Sequence, residues 1–351
     1  MKNLVEIHDL RVVFHLREGT VPAINGANLA MPFHRTVGLV GESGCGKSIT
    51  ARAMMRILPP RAEITDGRIL LAPREGETAE PLDLVSLNPD GPKIRRIRGA
   101  DMAMIFQEPM TSFSPVHTIG NQIIEAIRLH QNKSKRDARD LAIEMLRLVR
   151  VPDAEHRVDA YPYELSGGLR QRAMIAMALS CRPRLLIADE PTTALDVTIQ
   201  AQILNLIERL QAELRMSVLM ITHDLGVIAE TAHEVAVMYL GRIVEHGSVD
   251  ALFNDPKHPY TRGLMASVPR LSGGHRMHLP SVPGSVPDVF SIPTGCPFHP
   301  RCDRFIKGVC DAGPVPAFEE VAPGQRAACF LYPPCRKSLD VATGSVAEVS
   351  S

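Results

Sequence analysis

The chain has 351 residues, of which 45% are hydrophobic and 22% charged, and its formal net charge is zero. This composition is typical of one large globular domain or two ordinary ones, and the balanced charge gives no indication of a nucleic-acid partner. The longest near-apolar run, residues 173–181, is about half as long as a membrane span, and the charged N-terminus is unlike a signal peptide. We therefore expect a cytoplasmic protein that meets a membrane only through a partner.

The first part of the chain predicts an α/β core. Residues 4–16 alternate apolar and polar side chains, as half-buried strands do. Residues 36–58 predict a strand, a glycine-rich loop and an amphipathic helix. The stretch from about 108 to 180 has helical periodicity and predicts an all-helical insert. The apolar runs at 184–191 and 217–224 end in carboxylates or histidine, which predicts buried parallel strands whose C-terminal ends carry chemistry.

The composition changes near Asp255. Fourteen of the 28 prolines fall in residues 256–351, and long periodic segments are scarce there. This predicts a separate, loop-rich C-terminal module over residues 256–335, followed by a disordered tail over residues 336–351.

Residues 41–48, GESGCGKS, match the phosphate-binding pattern G-x-x-x-x-G-K-[ST]. Glycines let successive backbone N–H groups face the phosphates, and the following helix adds its positive end. In this pattern Lys47 reaches the β and γ phosphates, and the Ser48 hydroxyl ligates Mg²⁺. A plain strand-to-helix turn is the alternative. The predicted nucleotide-binding residues of this segment are Gly41, Glu42, Ser43, Gly44, Cys45, Gly46, Lys47, Ser48 and Ile49.

Polar residues at other predicted strand ends complete an ATP site. Asp189 is suited to hold Mg²⁺, its neighbour Glu190 to polarise the attacking water, and His223 to sense the γ-phosphate. Gln107, in MIFQEP, is a further Mg²⁺ or water ligand at the junction with the helical insert. Phe14 is a candidate to stack on adenine, and an apolar core role is its alternative.

A second candidate anion-binding segment follows about 120 residues after the phosphate loop. In LSGGLRQR, Ser166, Gly167 and Gly168 lead into a helix and offer backbone N–H groups to an anion. One ATP cannot easily contact both the phosphate loop and the serine–glycine turn of a single subunit if they lie on different subdomains. Two subunits placed head to tail solve this, because each ATP then lies between the phosphate loop of one chain and the serine–glycine turn of the other.

The motifs GESGCGKS, MIFQEP, LSGGLRQR, LLIADEP, ALD (194–196) and ITHD, in this order, resemble the ATP-binding subunits of ABC transporters. The resemblance covers residues 1 to about 250 and implies an ABC ATPase domain over 1–255. It implies an α/β, P-loop NTPase (RecA-like) core with an antiparallel β subdomain and an all-helical insert. It also implies that Lys47, Ser48, Gln107 and Asp189 bind nucleotide and Mg²⁺, with Glu190 as catalytic base and His223 as its switch. Cys45 stands where serine is commoner.

Residues 258–270 and 281–302 resemble the C-terminal extension of oligopeptide and dipeptide importer ATPases, in particular the dipeptide-type D subunit. The family implies a second, different ATPase subunit, two transmembrane permeases and an extracytoplasmic solute-binding protein, with the ATPase at the cytoplasmic face of the inner membrane. Other cargoes of this class are nickel, opines, glutathione and oligosaccharides. A soluble ABC ATPase of translation or repair, and a redox-sensing subunit, are the alternative functions.

Four cysteines of the C-terminal module are candidate metal ligands: Cys296, Cys302, Cys310 and Cys329. Thiolates suit zinc or iron–sulfur, but the close C-x₂₋₄-C pairs of zinc sites are absent. The resemblance implies a [4Fe–4S] cluster, which would staple a module with little apolar core. Plain reduced cysteines are the alternative.

Overall fold

The computed structural model describes residues 2–108, 112–193, 195–267, 282–337 and 339. The strands are β1 Asn3–Leu16, β2 Gly19–Pro32, β3 Thr36–Val40, β4 Ala62–Leu71, β5 Leu82–Asp83, β6 Met102–Ile105, β7 Leu185–Asp189, β8 Ser217–Ile221, β9 Glu234–Tyr239, β10 Arg242–Ser248, β11 Glu319–Ala322 and β12 Gln325–Ala327. The helices are α1 Lys47–Met54, α2 Pro92–Ala100, α3 Ile119–His130, α4 Lys135–Leu148, α5 Ala154–Arg157, α6 Gly167–Leu179, α7 Val197–Leu214, α8 Leu225–Thr231, α9 Val249–Asn254 and α10 Pro259–Ala266.

The larger sheet has the strand order β11-β12-β10-β9-β3-β8-β7-β6. Strands β6, β7, β8, β3 and β9 pair in parallel, and every residue of β3, β7 and β8 is buried. Alternate residues of β7 pack on opposite faces, Leu185 and Ile187 into one apolar core and Leu186 and Ala188 into the other. Because parallel strands end at one edge, the polar residues that follow them lie together, as predicted.

A smaller antiparallel sheet, β2-β1-β4-β5, covers one face of this layer. Strand β1 pairs with both β2 and β4. Its inward residues Val5, Ile7, Leu10 and Val12 are buried and share a core with Leu39 of β3. The predicted antiparallel β subdomain is therefore present.

The described part of residues 112–180 consists of helices and the connections between them, as the sequence predicts. Helix α3 starts at Thr118, whose side chain accepts a hydrogen bond from the Asn121 N–H, and α4 starts in the same way at Ser134. Two residues on one face of α3, Ile123 and Ile127, are fully buried in the core shared with β6 and β7. The amphipathic pattern thus packs the insert onto the α/β core.

The C-terminal segment is not separate from the core, contrary to the expectation from composition. Strand β12 pairs antiparallel with β10, so that β11 and β12 extend the larger sheet. The buried carboxylate of Glu245, on β10, connects the core to the C-terminal segment. It accepts hydrogen bonds from the N–H groups of Lys257 and His258 at 2.7 and 2.8 Å. It also accepts one from Gln325 Nε2 at 2.8 Å. Apart from residues 336, 337 and 339, the predicted tail lies outside the described residues.

Within the described ranges, no helix combines the length and the apolar character that a membrane crossing requires.

Candidate functional site

The loop between β3 and α1 follows a path that requires glycine at two positions. Gly41 and Gly46 have φ values of 153° and 111°. A Cβ atom on Gly41 would lie 2.2 Å from the Met238 carbonyl oxygen, and one on Gly46 would lie 2.6 Å from the Ala23 carbonyl oxygen. Side chains at these positions would force the loop away from β9 and β2, so that the fold itself sets the curvature of the phosphate loop.

Lys47 is held in the concave side of this loop. Its Nζ atom donates hydrogen bonds to the carbonyl oxygens of Gly41 at 2.7 Å and Glu42 at 3.0 Å, and the side chain is only 7% exposed. The Cys45 thiol lies 3.7 Å from the same Nζ atom and is buried. A fixed ammonium group at a helix N-terminus is an arrangement that binds phosphate.

Ser48 and Asp189 bring a hydroxyl and a carboxylate together across the site. The Ser48 Oγ atom donates to Asp189 Oδ1 at 3.0 Å, and Asp189 is only 3% exposed. Burial raises the pKa of Asp189, and the hydrogen bond from Ser48 opposes this shift. Oxygen ligands of this kind are what Mg²⁺ prefers, and a divalent cation would relieve the cost of a buried carboxylate. These residues therefore fit Mg²⁺.

The Glu190 carboxylate is the point at which three other side chains meet. Oε2 accepts hydrogen bonds from Gln107 Nε2 at 3.0 Å and from Thr193 Oγ1 at 2.8 Å, and His223 Nδ1 lies 3.3 Å from Oε1. Glu190 has a positive φ of 48°, and its N–H donates to the Ile221 carbonyl oxygen at 2.9 Å. Gln107, Glu190 and His223 were predicted. Thr193 was missed, although it follows Glu190 by one turn.

The serine–glycine turn starts helix α6. Ser166 is its N-cap, but its side chain makes no capping hydrogen bond, and the first turn has no acidic residue. Ser166 and Gly167 are exposed. Behind them, the buried Gln171 donates from Nε2 to the Pro191 carbonyl oxygen at 2.6 Å. The sequence did not indicate this link, which ties the start of α6 to the segment that carries Glu190.

Phe14 lies on β1 opposite Val21 of β2 and Ala62 of β4, and its side chain is half-buried. A half-buried aromatic ring on a strand suits either stacking on a base or packing in the core. Adenine stacking by Phe14 stays a prediction.

Two residues of the C-terminal segment contact the phosphate loop, although no motif in the sequence marks either of them. The Glu42 N–H donates to Tyr260 Oη at 2.9 Å. The Glu42 carboxylate accepts two hydrogen bonds from Arg301, at 2.7 and 2.9 Å. Glu42, predicted as a nucleotide-binding residue, is therefore hydrogen-bonded to the C-terminal segment through its backbone N–H and through its carboxylate.

The four candidate cysteine ligands are free thiols in one region of the molecule. Burial, with a smaller contribution from charge on the neighbouring cysteines, raises the pKa of Cys296 and of Cys329 to about 12. Among the residues that the structure describes, no three His, Cys, Asp or Glu side chains are arranged to hold a metal ion. The structure therefore gives no support to the predicted [4Fe–4S] cluster, because these thiols are not arranged as a set of metal ligands in the described part of the chain.

Comparisons with known proteins agree with the motifs. A family model described as "ABC transporter" matches residues 24–193, and one described as "Oligopeptide/dipeptide transporter, C-terminal region" matches residues 244–310. The chain is 50% identical to the probable peptide ABC transporter ATP-binding protein y4tR of Sinorhizobium fredii, over 93% of this chain and 94% of that protein. It is 48% identical to the dipeptide transport ATP-binding protein DppD of Bacillus subtilis, over 89% and 90%. It is 45% identical to the oligopeptide transport ATP-binding protein OppD of Salmonella typhimurium, over 93% of each.

Solved structures show the same fold. The ATP-binding cassette MJ0796, solved as a dimer bound to ADP and Pi, superimposes with a TM-score of 0.60 and 23% identity over 70% of this chain and 98% of that one. A second structure, cbiO1 from Clostridium perfringens, gives a TM-score of 0.59 at 24% identity over 73% and 92%.

Proposed function

This chain belongs to the ATP-binding subunits of ABC transporters of the oligopeptide/dipeptide class, and we propose that it hydrolyses ATP to power the import of di- or oligopeptides through partner permeases. The observation that carries this proposal is the meeting of Gln107, Thr193 and His223 on the Glu190 carboxylate, beside the Ser48–Asp189 pair.

Each residue has a role that its surroundings support. Lys47 and the loop N–H groups bind the β and γ phosphates. Ser48, Asp189 and Gln107 would hold Mg²⁺, which neutralises charge on the triphosphate when bound. Glu190 accepts a proton from water, the water oxygen bonds to the γ-phosphorus, and the bond from that phosphorus to the bridging oxygen of ADP breaks. His223 holds the Glu190 carboxylate in place and senses the γ-phosphate.

The second half of the ATP site comes from a partner. Ser166 and Gly167 are exposed and Gly168 is half-buried, at the start of a 13-residue helix without acidic residues in its first turn. In a head-to-tail heterodimer with a second ABC ATPase subunit, this turn binds the γ-phosphate held by the other chain. Loss of that phosphate on hydrolysis then opens the dimer.

The ATPase pair drives two transmembrane permeases from the cytoplasmic face of the inner membrane, and an extracytoplasmic solute-binding protein delivers the peptide. Gln107 follows β6 and precedes the helical insert, so a change at Glu190 reaches the insert through one hydrogen bond, at 3.0 Å. The insert and the groove beside Gln107 are therefore the proposed permease contact.

Reconstitution tests this function. The full transporter in vesicles, with the binding protein outside and ATP inside, should accumulate a labelled dipeptide and release phosphate in proportion. Replacing Glu190 with Gln in this chain should lower both by about 10² to 10⁴-fold, and replacing the exposed Lys337 of the C-terminal segment should change neither. Peptide uptake that continues without ATP would contradict the proposal.

A further inference from the structure

The phosphate loop of this protein contains an acidic residue, Glu42, directly after Gly41. A free carboxylate at this position would repel the triphosphate that the loop binds. The side chain is instead paired with Arg301, whose Nη1 and Nη2 atoms donate to its two oxygens at 2.7 and 2.9 Å. This bidentate geometry is the strongest that a carboxylate forms with a protein cation.

Arg301 is fixed by its own surroundings before it meets Glu42. Its side chain is only 3% exposed, and its Nε atom donates to the Pro283 carbonyl oxygen at 2.9 Å. The guanidinium lies 5.8 Å from the ring centre of Tyr239 and 5.9 Å from that of Phe298. An arginine held in this way is preorganised, and it determines where the Glu42 carboxylate lies.

Tyr260 holds the backbone of the same residue. It is fully buried on helix α10, and its Oη atom accepts a hydrogen bond from the Glu42 N–H at 2.9 Å. Its ring packs on Tyr239 and Phe298, with ring centres 4.7 and 5.4 Å apart. The loop residue is thus held through both its carboxylate and its N–H group by side chains from beyond residue 256.

We propose that Tyr260 and Arg301 form a Glu42 clamp, which positions the phosphate loop for ATP and keeps the Glu42 charge away from the γ-phosphate. They are positioning residues, since they act through Glu42. The C-terminal segment therefore contributes directly to nucleotide affinity, in addition to any role in cargo transport. This inference rests on the proposed ATPase function and assigns these two residues to its site.

A double-mutant cycle on the full chain tests the clamp, with the affinity for Mg·ATP measured by calorimetry. Arg301→Gln should weaken ATP binding about tenfold, because it leaves an uncompensated carboxylate in the loop. In the Glu42→Gln background, which has no such charge, Arg301→Gln should weaken binding less than about twofold. Equal losses in both backgrounds, or no loss in either, would overturn the clamp, because a purely structural role for Arg301 does not depend on the Glu42 charge.

Two further variants keep the test informative if Arg301→Gln does not fold or if any surface ion pair affects ATP binding. Arg301→Lys keeps the charge but cannot form both hydrogen bonds, and it enters the same cycle if Arg301→Gln does not fold. Arg139→Gln is the matched control, because Arg139 forms a bidentate pair with Asp159 at 2.7 and 2.6 Å on the insert surface. It should leave ATP affinity unchanged. Wild-type protein that fails to bind ATP would refute the ATPase function itself, whereas intact wild-type binding with an uncoupled cycle refutes the clamp alone.

Discussion

Replacement of Glu190 by Gln tests proton transfer with little change in the shape of the site. Glutamine has the same shape, and its side-chain oxygen placed at the Oε2 position still accepts the bonds from Gln107 at 3.0 Å and Thr193 at 2.8 Å. Its NH₂ group then lies toward His223, at the position that Oε1 occupies. The variant therefore keeps the two hydrogen bonds at the Oε2 position and loses the carboxylate charge, and with it the ability to accept a proton.

From the usual contribution of a general base, hydrolysis should fall by about 10² to 10⁴-fold, which corresponds to about 3–5 kcal/mol in the activation free energy. ATP affinity should stay within about twofold, because no group that binds phosphate changes. Single-turnover phosphate release and equilibrium ATP binding, measured on the same reconstituted complex, check both parts. Phosphate release within about fivefold of wild type would refute the assignment of Glu190 as the base.

Three further changes probe other parts of the site. Lys47→Ala should abolish measurable ATP binding in calorimetry while the circular dichroism spectrum is kept, since the loop loses its only described ammonium contact to Gly41 and Glu42; retained affinity would contradict this role. Gly41→Ala should also lose ATP binding, because its Cβ would lie 2.2 Å from a backbone oxygen, whereas Gly76→Ala, where nothing lies within 4 Å, should not. Asp189→Asn should raise Tm at pH 8, because burial raises the pKa of Asp189. The folded state then binds the proton more tightly than the unfolded state. The ionised carboxylate therefore lowers the free energy of unfolding. This loss is absent below the ordinary pKa of Asp and complete above the raised pKa of the folded state. The difference in Tm should therefore vanish toward acid pH, and an unchanged or lower Tm at pH 8 would contradict it.

The ATP-site residues that the sequence predicted share one property: each is marked by its immediate neighbours. Gly41 to Ser48 form one continuous motif, and Asp189 and His223 end or follow buried apolar strands. Since parallel strands end at one edge of a sheet, proximity in space follows from local pattern alone.

The contacts that the sequence did not predict join residues far apart along the chain. Tyr260 and Arg301 lie 218 and 259 residues from Glu42, and neither stands in a pattern that names its partner. Strand β12 has only three residues, too few to show alternation, so its pairing with β10 had no local signal. The high proline content of the C-terminal segment predicted a separate module. Whether the segment packs on the core depends instead on single contacts, such as the hydrogen bond of Gln325 with Glu245, which composition does not reveal.

The central claim is that one ATP is bound by two subunits. It is tested most directly by the structure of the full transporter, with Glu190→Gln in this chain, trapped with Mg·ATP. The account predicts that Ser166 and the N–H groups of Gly167 and Gly168 lie within hydrogen-bonding distance of the γ-phosphate held by the partner's phosphate loop. A trapped, ATP-loaded complex in which Ser166 lies well beyond about 3.5 Å from any γ-phosphate, with no water between them, would contradict it.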